Sequence, residues 1–350
     1  MVRQINPSLA RLWIGDRRQY GYSNPVGIEP TTPATQRALE YLEAGISNNQ
    51  LPNLGKIVGT TNIQIGDLLS RISSVLVQTT SFLPELSPEA VEQKFAEIMR
   101  LFLTGSLDPA ESLKNRSASR VFVSALDRTG LVLLQALSAV GIGTIFTQDQ
   151  QRVLARDTLN LGHPESSLGE TRISSARAIL GQKTKTQLHS RVSGVFNETA
   201  VSVIIGTDVI NPADYQIWMS RDVPHIAITF DELGVQVSHL VIPGVTPCLS
   251  CVALEKLNSE PNWQFIAPQL NLLDRDLGDT AVLLFATGVV VNAVLNLIDF
   301  GHQAGSKPQE TRFDRRTGSV LQREVLSPNC GCKTSKETLG THFEAFPDSN

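Results

Sequence analysis

All four cysteines of this 350-residue chain lie in two close pairs that are far apart in the sequence. Cys248 and Cys251 form a C-x-x-C motif after Pro247, and Cys330 and Cys332 form a C-x-C motif. Four thiolates brought together by folding make the tetrahedral ligand set of a structural zinc site. The pattern therefore predicts that the two segments meet around one Zn²⁺ ion. Disulfides, or a redox-active C-x-x-C pair, are the alternatives.

A zinc site of this kind constrains both function and location. Four thiolate ligands leave no open position on the metal, so the ion is expected to be structural, and no cysteine is left to act as a nucleophile. Four cysteines are also too few to staple so long a chain with disulfides, which favours a reducing compartment and hence the cytoplasm. With 30 Lys and Arg against 34 Asp and Glu, the chain has no excess of cations, so no nucleic-acid partner is expected.

Two segments of the chain bear on secretion and on a membrane span. Residues Met1–Leu12 lack the continuous apolar stretch and the small-residue cleavage site of a signal peptide. The segment Ala281–Phe300 is long enough to span a bilayer, but it carries Asn292, Asn296 and Asp299. Because polar side chains are costly in lipid, we expect a buried helix here and no membrane partner.

Beyond residue 120, apolar strands alternate with helical segments. Strand Arg120–Ala125, helix Gly130–Val140 and strand Thr144–Thr147 open a series that is typical of a parallel sheet with crossover helices. The series continues with helix Arg172–Leu180, strand Ala200–Ile205, helix Pro212–Arg221, strand His225–Ile228 and a hairpin at Gly234–Pro243. We expect an α/β, Rossmann-like sheet domain over residues 111–332, followed by a flexible tail at residues 333–350.

The first 110 residues have a different pattern. Alternating residues between Ala10 and Tyr22 predict a hairpin, and helical spacing of apolar residues predicts short helices, among them Asn62–Val75. A hairpin with short helices indicates a small winged-helix-like α+β domain at residues 1–110. Polar, turn-rich residues at Thr104–Pro109 and Asn115–Ser119 are interpreted as the bridge to the sheet domain.

Together these features resemble a known family. The region Val121–Val153, the Thr207-Asp208 pair after a hydrophobic strand and the two cysteine motifs are similar to those of ThiF/MoeB-type activating enzymes, which are relatives of the ubiquitin-activating enzymes. The segment from Ile242 through Trp263 looks closest to the bacterial branch found with ribosomally made, modified peptides of the thiazole and oxazole type. The resemblance covers about Arg120–Cys332, most of the chain.

The resemblance implies an activity and a set of partners. Members of the family adenylate the C-terminus of a protein or peptide, using ATP and Mg²⁺. In the bacterial branch an N-terminal winged-helix-like domain binds a leader peptide, which suits residues Leu9–Leu103. The resemblance also implies a homodimer formed through the sheet domain.

Carried over by position, the resemblance assigns individual residues to ATP and magnesium. Gly130 is the retained glycine of the family's G-x-G-x-x-G turn, Arg128 lies in the same turn, and Asp149 falls on the acidic residue that holds the ribose hydroxyls. Asp208 falls on the magnesium-binding aspartate, and Arg172 on the basic residue just before the next helix. These last two are the candidate catalytic residues.

The same region departs from the family pattern. The turn reads Ala125-Leu126-Asp127-Arg128-Thr129-Gly130, so a carboxylate stands where backbone N–H groups would approach phosphates. The family's asparagine and phosphate-clamping arginine fall on Asp157 and Leu161. The retained residues also have structural interpretations, as caps at strand ends for the two aspartates and as a solvated surface charge for the arginine.

Two functions are consistent with the sequence. The first is a protein with a degenerate nucleotide pocket that binds a leader or precursor peptide and presents it to a partner modifying enzyme. The second is an active adenylyltransferase that activates the C-terminus of a peptide or a ubiquitin-like protein. Removing one donor aimed at transition-state charge typically costs about 100- to 1,000-fold in rate, and here an arginine and two glycines are missing, which favours the first. A dinucleotide-dependent enzyme on a similar fold is a third alternative.

Overall fold

Separate hydrophobic cores divide the chain into two units. The computed structural model describes residues 2–29, 32–79, 88–105, 108–181, 184–190, 199–301, 307–326 and 330–332. The N-terminal unit is Met1–Asn115 and the sheet unit is Arg116–Asn350, so the division falls inside a helix a few residues after the predicted boundary. The predicted tail at residues 333–350 lies outside the described residues.

The N-terminal unit contains two small antiparallel sheets and a set of short helices. One sheet has the strand order β5-β1-β6 and the other the order β2-β3-β4. The elements are β1 (Val2–Ile5), β2 (Arg11–Ile14), β3 (Arg17–Tyr20), β4 (Val26–Ile28), α1 (Pro33–Ala44), β5 (Ile46–Ser47), α2 (Leu54–Val58), α3 (Asn62–Arg71), β6 (Leu76–Thr79), α4 (Pro88–Gln93), α5 (Phe95–Leu103) and α6 (Pro109–Ala118). The predicted hairpin is confirmed as β2 and β3, and the α+β character of the unit is confirmed with it.

The hairpin is fixed to α1 through one carboxylate. Glu43, on α1, accepts hydrogen bonds from the Tyr20 hydroxyl at 2.7 Å and from Arg18 Nε at 3.0 Å. Burial, together with the nearby Glu43 carboxylate, raises the pKa of Tyr20, so the phenol stays protonated and keeps donating this hydrogen bond. Tyr20 is therefore a core residue, whereas Tyr22 is exposed.

One segment interpreted as part of a turn-rich bridge is helical. Residues Pro109–Ala118 form α6, and the Asp108 carboxylate accepts hydrogen bonds from the N–H groups of Ala110 and Glu111. An aspartate followed by proline is a helix start signal, because the aspartate caps free N–H groups and proline fits the first helical position. The interpretation of Asn115–Ser119 as a bridge was wrong because it did not weigh this signal.

The sheet unit is built on one eight-stranded sheet. Its elements are β7 (Arg120–Val123), α7 (Arg128–Ala139), β8 (Thr144–Phe146), α8 (Arg172–Gly181), β9 (Gln187–His189), β10 (Val201–Thr207), α9 (Pro212–Ser220), β11 (His225–Asp231), β12 (Gly234–Val237), α10 (Leu249–Ser259), α11 (Trp263–Leu270), α12 (Thr280–Phe300), β13 (Gln309–Asp314) and β14 (Val320–Glu324). The predicted α/β, Rossmann-like class is confirmed. The strands β9, β13 and β14 were not predicted, and Gly234–Val237 pairs with the preceding β11 and not within the hairpin predicted at Gly234–Pro243.

The strand order places a crevice next to β7. The order is β14-β13-β12-β11-β10-β7-β8-β9, with parallel pairing from β9 to β11 and antiparallel pairing from β11 to β14. The chain moves from β7 to β8 on one side and later returns to β10 on the other. In such sheets ligands bind outside the carboxyl ends of the strands where this reversal occurs, so the residues after β7, β8 and β10 define the place to look for a site.

The apolar segment forms α12, which packs in the core of the sheet unit. Within the described residues, α12 is the one helix that is long and apolar enough to cross a membrane, and a third of its most apolar window is buried. Its buried side chains recur at helical spacing and contact the sheet and α7: Val282, Leu283, Ala286, Val290 and Val294. At its end, Asp299 forms a buried ion pair with Arg116, with Nη2–Oδ2 at 2.6 Å. This packing is that of a core helix.

Candidate functional site

The turn after β7 holds an acidic side chain at the N-terminus of α7. The Asp127 carboxylate accepts a hydrogen bond from the Gly130 N–H at 2.9 Å and so caps the helix. Burial raises the pKa of Asp127, and the hydrogen bond from Gly130 opposes that rise. The Gly130 N–H, one of the groups at this helix N-terminus that could bind an anion, therefore already has a partner carboxylate from this chain.

The retained glycine has a packing role. A Cβ at Gly130 would lie 1.8 Å from the backbone oxygen of Ala125, so only glycine allows α7 to start this close to β7. In the family pattern the last glycine has this role and the earlier ones allow backbone to approach phosphate. This chain keeps the glycine that packs and lacks those that would admit a ligand.

Arg128 makes a hydrogen bond to the backbone of another segment of the sheet unit. Its side chain is buried, and Nη2 donates a hydrogen bond to the carbonyl oxygen of Gly278, in the segment before α12. Its guanidinium thus holds two parts of the sheet unit together.

The residues that the resemblance assigns to the ribose and the phosphates form ion pairs with each other. Arg172 Nε and Nη2 donate to the two carboxylate oxygens of Asp157, at 2.9 and 3.0 Å, and Nη1 donates to Asp149 Oδ2 at 3.4 Å. Asp149 Oδ2 also accepts the Leu126 N–H at 2.7 Å. We call Arg172, Asp157 and Asp149 the ionic triad. All three side chains are almost fully buried, so Arg172 is not the solvated surface charge of the structural alternative.

A buried histidine that the sequence analysis did not single out supports the same turn. The two ring nitrogens of His163 lie 2.8 Å from the Leu126 carbonyl oxygen and 2.8 Å from Ser175 Oγ. Because a carbonyl only accepts, Nε2 donates to Leu126. No spacing or motif in the sequence signals this contact.

Asp208 follows β10 in an unusual backbone conformation. Its φ is +63°, in the left-handed region, and its side chain is 6% exposed. Oδ2 accepts no hydrogen bond from any described residue and lies 3.5 Å from Arg275 Nε. Burial raises the pKa of Asp208, while the Arg275 charge opposes the rise and Glu232 adds to it. This carboxylate is the one predicted site residue with a coordinating oxygen still available.

The remaining positions of the family's phosphate clamp do not converge on Asp208. Arg156 forms a surface ion pair with Asp274 at 2.9 Å. Leu161, at φ +72°, is half exposed and lines an apolar groove with Val132 and Ile179.

The two cysteine motifs meet as predicted. The Sγ–Sγ distances are 3.8 Å for Cys248–Cys251 and Cys248–Cys330, 3.4 Å for Cys251–Cys332 and 2.9 Å for Cys251–Cys330. All four Sγ atoms lie within 4.8 Å of one another. Zn–S bonds of about 2.3 Å in a tetrahedron give S–S edges of about 3.8 Å. Two of the four separations match this edge and two are shorter, so the four cysteines could hold one zinc ion.

The chemistry of the thiols fits a bound dication. Burial raises the pKa of Cys251, and it raises that of Cys332 to about 11. At Cys330 burial also acts upward, but hydrogen bonds from the neighbouring thiols hold its pKa at about 7. Four adjacent thiolates repel one another in a buried place unless a cation neutralises them, which is what zinc supplies.

A hydrogen-bonded contact holds the second cysteine motif near the first. Glu255, on α10 just after Cys251, accepts a hydrogen bond from the N–H of Leu326 at 2.8 Å and another from Arg323 Nη1 at 2.8 Å. The segment that leads to Cys330 is therefore tied to α10 by contacts that need no metal.

The hairpin of the N-terminal unit exposes an apolar strand. Leu12, Trp13 and Ile14 of β2 are all exposed, Trp13 by 54%. The guanidinium of Arg18 lies 4.6 Å from the centre of the Trp13 ring. Strand β2 pairs with β3 on one edge only among the described strands, so its other edge has main-chain groups free to pair with an extended peptide.

Comparison with known proteins gives structural matches. No family model matches the chain, and no curated protein is significantly similar to it in sequence. E. coli MccB solved with AMPCPP and MccA matches with a TM-score of 0.69 at 10% identity, covering 94% of this chain and 98% of that chain. The microcin C7 biosynthetic enzyme MccB in complex with N-formylated MccA matches with a TM-score of 0.68 at 12% identity, covering 95% and 100%.

A second protein matches over less of the chain. PaaA has a TM-score of 0.62 at 16% identity, covering 79% of this chain and 96% of that chain. At these identities the likeness is one of fold. It confirms, for the fold, the resemblance inferred from the region Val121–Val153, the Thr207-Asp208 pair and the cysteine motifs: this chain has the fold of MccB.

Proposed function

We propose that this chain is a peptide-binding member of the ThiF/MoeB-type fold whose nucleotide pocket is closed by its own side chains. In this function the N-terminal unit binds a leader or precursor peptide, and the chain presents that peptide to a partner modifying enzyme. The MccB matches include complexes with MccA, which supports a peptide as the ligand.

The ionic triad is the observation that carries the proposal. Arg172 would have to leave Asp157 and Asp149 before it could meet a phosphate, and both carboxylates would then be buried without a cation. Breaking a buried ion pair by removing one partner costs about 3–5 kcal/mol. Asp127 adds a negative charge at the helix N-terminus, where a triphosphate would have to bind.

The exposed strand β2 is the proposed place for the peptide. An extended peptide that pairs with a sheet edge gains main-chain hydrogen bonds, and pockets for alternate side chains supply selectivity. Leu12 and Ile14 lie on one face of the strand and Trp13 on the other, so a paired peptide meets apolar side chains on both faces.

Two titrations of the full chain test the proposal. ATP with Mg²⁺ should give no calorimetric signal, whereas a precursor peptide encoded in a neighbouring reading frame should bind with about micromolar affinity. Trp13→Ala should weaken peptide binding about tenfold or more, because exposed aromatic residues are frequent anchors. Phe95→Ala removes a comparably exposed aromatic outside the hairpin and should leave the affinity unchanged. Tight ATP binding, or equal effects of the two variants, would contradict the proposal.

Asp208 favours a second candidate function, an active adenylyltransferase. Its carboxylate ends β10 at the reversal point and keeps an oxygen that accepts no hydrogen bond within the described residues, as a magnesium ligand requires. MccB has also been solved with ATP. In this case the peptide carboxylate would attack the α-phosphate, with Asp208 placing the metal. ATP–pyrophosphate exchange that depends on peptide and is abolished by Asp208→Asn would establish this function in place of the first.

The metal and the assembly complete the proposal. Zinc at the four cysteines is structural, and it fastens α10 to the segment after β14. Four reduced thiols suit the cytoplasm. We also propose a homodimer formed by the sheet unit, as in the family that the sequence resembles; sedimentation at several protein concentrations should give twice the mass of the chain.

A further inference from the structure

Two polar side chains in the core of the sheet unit lack hydrogen-bond partners. Ser202, on β10, and His225, on β11, are both fully buried. Ser202 Oγ and His225 Nε2 make no hydrogen bond with any described residue. Buried polar atoms nearly always have a partner, in the protein or in ordered water, so each of these atoms calls for one.

The two atoms lie on the same side of the sheet. Ser202 and His225 are register partners in the parallel pair β10–β11, so their side chains point to the same face. Their neighbours Ile204 and Ala227 on that face belong to the core cluster that contains Trp218, Cys248 and Cys251. The site is therefore internal and lies on the cysteine side of the sheet.

The tautomer of His225 determines what it offers. Nδ1 lies 3.0 Å from the carbonyl oxygen of Val223, which can only accept, so Nδ1 carries the proton and Nε2 presents a lone pair. Burial, together with the nearby His239, lowers the pKa of His225 to about 4 against the opposing effect of the Val223 hydrogen bond, so the ring is neutral at neutral pH. Nε2 is thus a hydrogen-bond acceptor.

A second imidazole is held in a matching way. His239 Nε2 lies 2.6 Å from the carbonyl oxygen of Pro247 and so donates to it, which makes Nδ1 an acceptor. Ser202 contributes a hydroxyl that both donates and accepts. Ser202, His225 and His239 thus offer two neutral imidazoles and one hydroxyl.

We propose that one water molecule is bound between Ser202 Oγ and His225 Nε2, donating to the imidazole and exchanging a hydrogen bond with the hydroxyl. The two residues are register partners, yet no hydrogen bond joins their side chains, and a bridging water satisfies neighbouring polar atoms that do not bond directly. A metal ion fits poorly here, because the available ligands are two neutral imidazoles and one hydroxyl. The anionic thiolates that make the cysteine cluster a metal site are absent from this set.

The bound water has a defined structural task. His225 exchanges both main-chain hydrogen bonds with Val241, and His239 contacts the residue before Cys248. The water therefore joins β10 to β11 at the point where His225 pairs with Val241, in the connection that leads to the first cysteine motif. This role does not depend on whether the chain binds ATP or a peptide.

A high-resolution crystal structure of the zinc-loaded chain tests the proposal directly. We expect one density peak within hydrogen-bond distance of both Ser202 Oγ and His225 Nε2. A side chain in that place, a direct contact between the two residues, or an anomalous signal from a metal ion would overturn it.

Water relaxation dispersion in solution gives a second test. Ser202→Val replaces the hydroxyl with a methyl group and fills the space, so the number of long-lived internal waters should fall by one per chain. Ser138→Ala is the matched control, because Ser138 is a buried serine already bonded to Thr186 at 2.7 Å, and its count should not change. An unchanged count in Ser202→Val would overturn the proposal; should that variant not fold, the crystal structure decides.

Discussion

The cysteine cluster and the ionic triad solve opposite electrostatic problems. At the cysteines, four groups of one kind converge, and nothing among the described residues neutralises them as thiolates. After β8, one guanidinium and two carboxylates converge and pair with one another within the chain. The first arrangement could hold an external ion, whereas in the second the charged groups already have partners within the chain. Convergent polar side chains therefore indicate a ligand only when their charges or lone pairs are left over.

Removing a zinc ligand should have the largest effect. Cys251→Ser leaves three thiolates around a buried ion, and we expect the free energy of unfolding to fall by about 4 kcal/mol or more, since loss of a metal is among the few single changes that large. Metal analysis should give one zinc per chain for the natural sequence and much less for the variant. Ser250→Ala, on the adjacent position of the same helix, should keep its zinc. Full zinc content and unchanged stability in Cys251→Ser would contradict a structural metal site at the four cysteines.

Breaking the triad should cost nearly as much. Arg172→Met leaves Asp149 and Asp157 buried without their cation, and we expect a loss on the order of 3 kcal/mol in urea unfolding, toward the lower end because both carboxylates also accept backbone N–H groups. Arg156→Met breaks a surface ion pair and should cost less than about 1 kcal/mol.

The triad variant also distinguishes a closed pocket from an open one. If Arg172→Met is no less stable than Arg156→Met, the triad contributes nothing and the pocket is free to open.

Acid should lower the free energy of unfolding of the sheet unit by protonating His225 in the unfolded chain. Its pKa is about 4 in the folded chain and 6.5 as a model value, so between these values the unfolded chain binds more protons. Stability should therefore fall as the pH drops below 6.5, by about 2 kcal/mol between pH 7 and pH 5. His225→Gln should lose this part of the pH dependence, whereas exposed His189→Gln should retain it. Parallel curves for His225→Gln and the natural sequence would show that the ring is not buried in the neutral form.

The smallest expected loss of stability comes from removing the Glu255 carboxylate, which ties the segment before Cys330 to α10. Glu255→Gln weakens the hydrogen bonds to Leu326 and Arg323, and we expect the free energy of unfolding to fall by about 1 kcal/mol. Zinc should also pass faster to a competing chelator, because the segment before Cys330 is held less firmly. Glu260→Gln, near the end of the same helix, is the control. Equal chelation rates for the two variants would mean that the metal alone holds the segment.

Several features could be predicted because they depend on local pattern. The alternation after Arg120 predicted the parallel strands, and the spacing of the four cysteines predicted that their segments meet. The strands β13 and β14 were missed, since an antiparallel addition to a sheet edge has no crossover signal. The helix over Pro109–Ala118 was missed, although Asp108 as a cap and Pro109 at the first helical position are a helix start signal.

The sequence by itself determined the class of fold, the pairing of the cysteine motifs and the loss of the family's phosphate-binding residues, because each is written in residue type and spacing. Only the tertiary structure decided the state of the residues that were kept. The members of the ionic triad are not adjacent in the sequence. Whether their charges pair with a ligand or with one another depends on where α8 and the loop after β8 place them. Asp208 looks equivalent to Asp149 in the sequence, yet packing leaves its Oδ2 without a hydrogen bond from any described residue, 3.5 Å from Arg275.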